Sequence, residues 1–387
     1  MELARRALSA QHEIASVLSL FEQIGRRAAV PGTLDFTFGN PHEPPLDGLV
    51  DAIRSQVEPR SDTWFAYTTS QQPARETVAA GLTTELGLEF EPGDVAMTQG
   101  AFGAISLAFH LLTDPGDEVV VPVPGWFCYP PMLRASALTP VPADLAHDTF
   151  DLDLDAIARA ITPRTRIVVV NSPANPTGRV LPRDQLEALA LLLDAESARI
   201  GRRIWILSDE PYRRIRFSGV PFVSPAAVYP WTLIDYSYGK ILLAPGQRLG
   251  YLALSPLLPR GERDQIREAY DPVQLAIGWG FPDALMQYAV PALEDVGLDL
   301  VELESKRDRM HGALAEAGYT LTRPEGTFYL WGEAPRRDGD AFAASLAERG
   351  VLVMPGSLFD RPAQFRISLT ATMPSIEAAL PAFRELA

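Results

Sequence analysis

Lysine is almost missing from this chain of 387 residues: of its 34 Lys plus Arg, only Lys240 and Lys306 are lysine. Cysteine occurs once, at Cys128, which excludes an internal disulfide framework and suits a reducing, cytoplasmic compartment. Positive charge is scarce overall. A formal net charge of -15 makes nucleic acid and anionic membrane surfaces poor partners. No run of about 18 apolar residues occurs, so no membrane-crossing helix is expected. The stretch up to Arg27 mixes Glu with Arg at helical spacing and lacks a small-residue cleavage site, which reads as a docking helix and not a signal peptide. HExxH, GxSxG and CxxC do not occur, and the five histidines are scattered without ligand spacing. The alternating acids Asp151, Asp153 and Asp155 describe a solvated edge before a helix, not a metal site.

What is present is ordinary for a globular protein: 47% hydrophobic and 21% charged residues, in a length that suits two domains or one large α/β unit. Against that background the two lysines differ. Lys306 lies in the charged run ELESKRDR and reads as part of a solvated helix face. Lys240 lies between the apolar segments WTLIDY and ILLAP with no adjacent acid. A buried, unpaired ammonium tends to lose its proton or react, and arginine cannot replace lysine as an amine nucleophile. Lys240 is therefore a reactive amine, or else a stem that crosses the core with its head in water.

The order of elements predicts a mostly parallel sheet. Apolar strands end in polar turns and alternate with helices. TLDFTF breaks at Gly39, Asn40 and Pro41, where bare backbone can face a ligand. Trp64, Phe65 and Tyr67 precede a helix that Pro73 starts, and read as core. MTQGAFGAISLAFHLL sets a strand end against Gly100, Ala101, Phe102 and a helix start, an arrangement that receives phosphate on free amides. Neither GxxxxGK[ST] nor GxGxxG is matched, which disfavours nucleotides. VVVPV leads to Trp126, either a cover for a planar ring or one of a packed aromatic cluster. IVVV runs into NSPANPTG with Asn175, and WILSDEPY ends in Asp209 and Tyr212 at the carboxyl edge of the sheet, where open α/β folds bind ligands. After Lys240, helices are expected from about Arg260 to Ala317 with breaks at Pro272, Pro282 and Pro291, then short strands and helices of a smaller α+β domain. The expected domains are 1–44, an N-terminal helix and segment joining the small domain; 45–290, the large domain; and 291–387, the small C-terminal domain. A lysine amine, an acid for a pyridinium nitrogen, an aromatic cover and a phosphate cradle together specify pyridoxal 5'-phosphate.

From about Leu34 to the C-terminus the chain resembles the fold-type I class I/II aminotransferases. NSPANPTG is similar to that family's NPxNPTG, SDEPY to its DExY, and Lys240 with Gly246, Arg248, Gly250 and Tyr251 to its SxxK followed by GxRxGY. PEGTFYLW, VLVMPG and FRISL follow its C-terminal pattern in the same order. The resemblance implies that Lys240 holds the cofactor as an aldimine and then moves the substrate's α-proton. It implies that Asp209 pairs with the pyridinium nitrogen, and that Tyr212 and Asn175 bond the phenolic oxygen. Trp126 would stack on the ring with Pro211 near its other face. Ala101, Phe102, Ser237 and Arg248 would bind the phosphate with Tyr67 of a second subunit, and Arg366 with the Gly39 amide would take the substrate carboxylate. A homodimer with shared sites follows from the same resemblance. Two positions depart from the pattern: Gln72, where glycine is frequent, and Gly239, where serine is frequent before the lysine.

Transamination between an amino acid and a 2-oxo acid is thus the expected activity. The alternatives are a lyase, cyclase or oxidase using the same cofactor, and a non-catalytic sensor resembling half of a transcription regulator. The sensor is disfavoured because no basic DNA-binding segment precedes residue 34. Trp64, Phe65, Phe127, Tyr129, Trp279 and Phe281 are candidates to line an apolar side-chain pocket. No second arginine is obviously placed for a dicarboxylate.

Overall fold

The computed structural model describes residues 3–387. Thirteen strands occur among them, and the central ones explain themselves by composition. Strands β3 (Glu118–Val123), β5 (Thr165–Asn171) and β6 (Trp205–Asp209) are short, mostly β-branched or aromatic, and almost wholly buried. That is the signature of a parallel sheet covered on both faces. With β2 (Val95–Thr98), β4 (Thr139–Asp144), β7 (Thr232–Ser237) and β8 (Gly250–Leu254) they form one seven-stranded sheet in the order β2-β8-β7-β6-β5-β3-β4. Only β8 runs antiparallel to its neighbours. Alternate residues feed the two faces. Ile167, Val169 and Leu207 pack with the helix Gly100–Leu112, while Val168, Val170 and Ile206 pack with Leu186, Leu189 and Leu193 of the helix Arg183–Ile200. Pro122 is tolerated inside β3 because its pairing with β5 ends at Val120.

A second, antiparallel sheet has the order β12-β13-β10-β9, from β9 (Leu321–Thr322), β10 (Tyr329–Glu333), β12 (Met354–Pro355) and β13 (Gln364–Ser368). The strand β1 (Leu34–Asp35) reaches across the sequence to pair with β11 (Val351–Leu352). The preceding helix, Arg5–Ala28, packs along the helix Tyr129–Ala135, and Arg134 meets Glu13 at 3.3 Å.

Three expectations about local structure are corrected. Pro272 and Pro291 lie inside the helices Arg260–Ala276 and Ala284–Leu293, so only Pro282 falls in a break. Proline's fixed φ is itself helical, and the lost backbone bond is outweighed by anchors on both sides of Pro272. Tyr270 donates to the Asp94 carbonyl at 2.9 Å and Gln274 to the Met97 carbonyl at 2.8 Å. Lys306 is not solvated: it is 5% exposed and bonded to Glu43 at 2.6 Å and Glu302 at 2.9 Å. Of the three aromatics before the Gln72–Leu86 helix, Phe65 and Tyr67 are exposed, and only Trp64 is packed, stacked on Tyr288 with ring centres 3.8 Å apart.

Candidate functional site

Parallel strands deliver their last residues to one edge. Asn171, Asp209 and Ser237 end β5, β6 and β7, and all three border a cavity of about 270 Å³. All the expected site residues except Tyr67 line it: Gly39, Ala101, Phe102, Trp126, Asn175, Asp209, Tyr212, Ser237, Lys240, Arg248 and Arg366. Tyr67 stands 88% exposed, stacked on Phe281 at 4.9 Å.

Lys240 is carried by the four-residue helix Tyr238–Ile241 that follows β7 directly, which fixes its backbone beside the sheet edge. It makes no ion pair among the described residues, and its Nζ lies 5.6 Å from the Tyr212 ring centre. The two lysines thus have opposite surroundings, one neutralised twice and one left open to the cavity. Gly239 explains its own departure from serine. A Cβ there would come within 2.9 Å of the Pro245 Cα, so the loop that brings Arg248 to the site leaves no room for a side chain.

Asp209 is 4% exposed. The Tyr129 hydroxyl donates to its carboxylate, and Asn171 Nδ2 donates to its carbonyl at 2.8 Å. Burial pushes its pKa up, while the Tyr129 hydroxyl, the neighbouring Asp235 and the charge of Lys240 pull the other way. Tyr212 faces Tyr329, hydroxyl to hydroxyl at 3.4 Å. Burial and the neighbouring Tyr329 lift Tyr212 well above the usual tyrosine range. Tyr329 is lowered despite its burial, because the charges of Arg366 and Lys240 favour its anion. Of the pair, Tyr329 is the more acidic.

Arg366 is held on β13 at 2% exposure. It donates through Nη1 to Asn175 Oδ1 at 2.8 Å and through Nη2 to the Thr37 carbonyl at 2.7 Å, and its Cζ sits 3.9 Å from the Tyr329 ring centre. Its Nε is buried and has no hydrogen-bond partner among the described residues. Since Asn175 spends its oxygen on Arg366, its NH2 group is the end available to an acceptor. Gly100 opens its helix with φ of +70°, and a Cβ there would lie 2.9 Å from Arg248 Nη2. The helix start and the guanidinium therefore converge on one spot, a pairing suited to an anion.

Trp126 joins both of its expected readings: it borders the cavity and also meets Phe102 and Tyr129 edge-on at 4.9 and 5.3 Å. Of the six aromatics proposed for a side-chain pocket, Phe127 alone lines the cavity besides this tryptophan's cluster. Phe65 is exposed, Trp64 stacks on Tyr288, Trp279 donates to Ser106 at 3.1 Å, Phe281 covers Tyr67, and Tyr129 lies behind Asp209. The sequence reading passed over Phe21 and Phe38, which do border the site, and over Tyr329 and Asp235. Tyr329 stood in the quoted run PEGTFYLW; nothing in the helix of Phe21 distinguishes it from an ordinary apolar position. Cys128 also borders the cavity, but burial pushes its thiol up to about 12, which keeps it inert. No metal-ligating cluster and no helix able to cross a membrane occur among the described residues.

Comparison with known proteins gives one answer. Residues 32–382 match the family model of aminotransferase class I and II. The aspartate aminotransferase of Geobacillus stearothermophilus is 30% identical over 325 residues, covering 79% of each chain. The aspartate/prephenate aminotransferase of Thermus thermophilus is 31% identical over 352 residues, covering 90% of this chain and 89% of that one. Among solved structures, an amino transferase from Eubacterium rectale superposes with a TM-score of 0.90 at 28% identity, covering 100% of this chain and 98% of its own. The Thermus thermophilus aspartate aminotransferase with maleate superposes with a TM-score of 0.81 at 27% identity over 100% of both chains. With sequence and fold matched over nearly its full length, the chain belongs to the class I and II aminotransferases.

Proposed function

We propose that the protein moves an amino group between an amino acid and a 2-oxo acid, with pyridoxal 5'-phosphate held by Lys240. The observation that carries this reading is a lone amine without a carboxylate partner, in one cavity with the buried acid Asp209 and the buried Arg366. The residues suit the cofactor. Arg248 and the positive-φ helix start at Gly100 make an anion cradle, and Arg366 keeps one N–H unused. When bound, the cofactor supplies an aldehyde that takes up the amino group and a ring that accepts electrons from the substrate's α-carbon.

The protein's own groups do the rest. Lys240 Nζ, which borders the cavity, would hold the cofactor's aldehyde and would be the base for the proton on the substrate's α-carbon. The Asp209 carboxylate keeps a proton on the ring nitrogen. Tyr212 and the Asn175 amide would donate to the phenolic oxygen, and Trp126 would cover the ring. The amides of Ala101 and Phe102, Ser237 and Arg248 hold the phosphate, joined by Tyr67 from the second copy of a homodimer. Arg366 takes the substrate carboxylate with its fork of donors, and the Gly39 amide assists.

The substrate side chain in this reading is apolar or aromatic. Phe21 meets Phe38 edge-on at 4.6 Å and Phe127 at 6.0 Å on the same cavity wall. Arg248 and Arg366 are the only arginines this chain contributes to the cavity among the described residues, so a guanidinium for a second carboxylate would have to come from the second copy. The relatives named for aspartate do not share this expectation. Borohydride treatment should fix cofactor mass on Lys240, and an amino-acid panel should discharge the visible absorbance of the lysine-bound cofactor. No adduct at Lys240 overturns the reading, and a clear preference for aspartate or glutamate overturns the substrate class.

A further inference from the structure

Asp235 lies in the middle of β7, wholly buried, and is the ladder partner of Asp209 across the parallel β6–β7 pairing. Neighbouring strands are about 4.8 Å apart and ladder partners share a face, so the two carboxyls stand side by side. Neither oxygen of Asp235 has a hydrogen-bond partner as an acceptor, and no cation pairs with it among the described residues. Two adjacent carboxylates cut off from water do not both ionise; one shared proton makes one of them a donor and the other an acceptor.

The surroundings decide which acid keeps that proton. Asp209 receives the Tyr129 hydroxyl and faces the charge of Lys240. Asp235 has neither, and the nearby Glu210, although paired with Arg213 at 3.1 Å, adds negative potential. We propose that Asp235 is a positioning residue: it remains a neutral acid and donates a hydrogen bond to Asp209, so that Asp209 stays ionised and fixed toward the cavity. Burial first, and Asp209 second, raise the Asp235 pKa well above its ordinary value, in keeping with that assignment. A leucine of similar shape would fill the same space with no polar atom to satisfy, so the acid serves its neighbour and not the packing.

This inference rests on Asp209 serving the ring nitrogen as proposed above, and two variants of the holoenzyme test it. Asp235→Asn keeps a donor and removes the acid proton; Asp235→Leu keeps the shape and removes the donor. Infrared difference spectra of wild type against Asp235→Asn at neutral pH should show the loss of one protonated-carboxyl C=O band. Asp235→Asn should retain the half-reaction rate within about threefold. Asp235→Leu should slow it, and speed cofactor loss, by about tenfold or more, with the amino-acid KM little changed. If no acid band disappears, or if Asp235→Leu matches wild type in both rate and cofactor retention, the inference is overturned. Should Asp235→Leu fail to fold, the infrared result on Asp235→Asn decides alone. A wild type that shows the band but no half-reaction would instead sink the transaminase reading and leave the acid pair standing.

Discussion

Arg366 is pinned by Asn175, Thr37 and the Tyr329 ring, yet one of its nitrogens has nothing to bond. Such an arrangement is pre-organised for a planar anion and leaves a lysine no equivalent. Arg366→Lys should raise the amino-acid KM on the order of a hundredfold with a smaller change in kcat, as read from steady-state kinetics over donor concentration. Asp235 has a second signature, in stability. Its raised folded pKa means that the native chain keeps a proton which the unfolded chain gives up above 3.8. Its contribution is therefore full below that value and is lost as the pH rises toward the folded one, by about 1.4 kcal/mol per pH unit. Asp235→Asn, free of that penalty, should gain on wild type in urea midpoint as the pH rises above 3.8. At this scale legibility followed scarcity and position. Lys240 stood out as one of two lysines in apolar surroundings, whereas Lys306 misled because its partner Glu43 is remote in sequence. Asp235 was illegible for a related reason. TLIDYS announces a strand, but only the ladder register sets that acid against Asp209.

Elements place these residues, and two of them do so at identifiable expense. The helix start at Gly100 needs a positive φ and close approach to Arg248. Gly100→Ala should lower stability by about 1–2 kcal/mol, and should weaken cofactor retention as well, which ultrafiltration of the holoenzyme would measure. The turn after β6 carries Arg213, wholly buried, which bonds Glu85 at 2.7 Å, Glu210 at 3.1 Å and the Tyr251 hydroxyl at 2.6 Å. Removing that cation leaves Glu210 charged and enclosed. Arg213→Met should destabilise the protein by about 3 kcal/mol, seen as a lower denaturant midpoint. Strand identity and the polar carboxyl edge could be read from runs such as IVVV and WILSD, because parallel strands buried on both faces have little choice of residue. The helices through Pro272 and Pro291 could not, since the anchors that hold them, Tyr270 to Asp94 and Gln274 to Met97, belong to tertiary packing.

At the level of the whole molecule, one residue of the expected set does not reach the cavity of its own chain. Tyr67 projects into solvent, stacked on Phe281 and two residues from the exposed Phe65, where a second copy would cover it. Sedimentation should give twice the chain mass of 42.3 kDa, and mixing Tyr67→Ala with Lys240→Ala subunits should restore activity in hybrids with one intact site. A monomer with full activity would contradict the shared site. The sequence alone gave Phe127 of the cavity wall but not Phe21, which comes from a helix far from every motif. That helix lies along Tyr129–Ala135 and faces the helix Gly339–Glu348 across a separate hollow of about 270 Å³. Phe21→Ala should weaken aromatic donors more than alanine, in the ratio of their kcat/KM values. In the reading proposed above, one of the three aromatics that would sort donors, Phe21, thus rides on a segment bearing none of the chemistry. Exchanging the first thirty residues among relatives could retune selectivity while leaving the catalytic machinery as it stands.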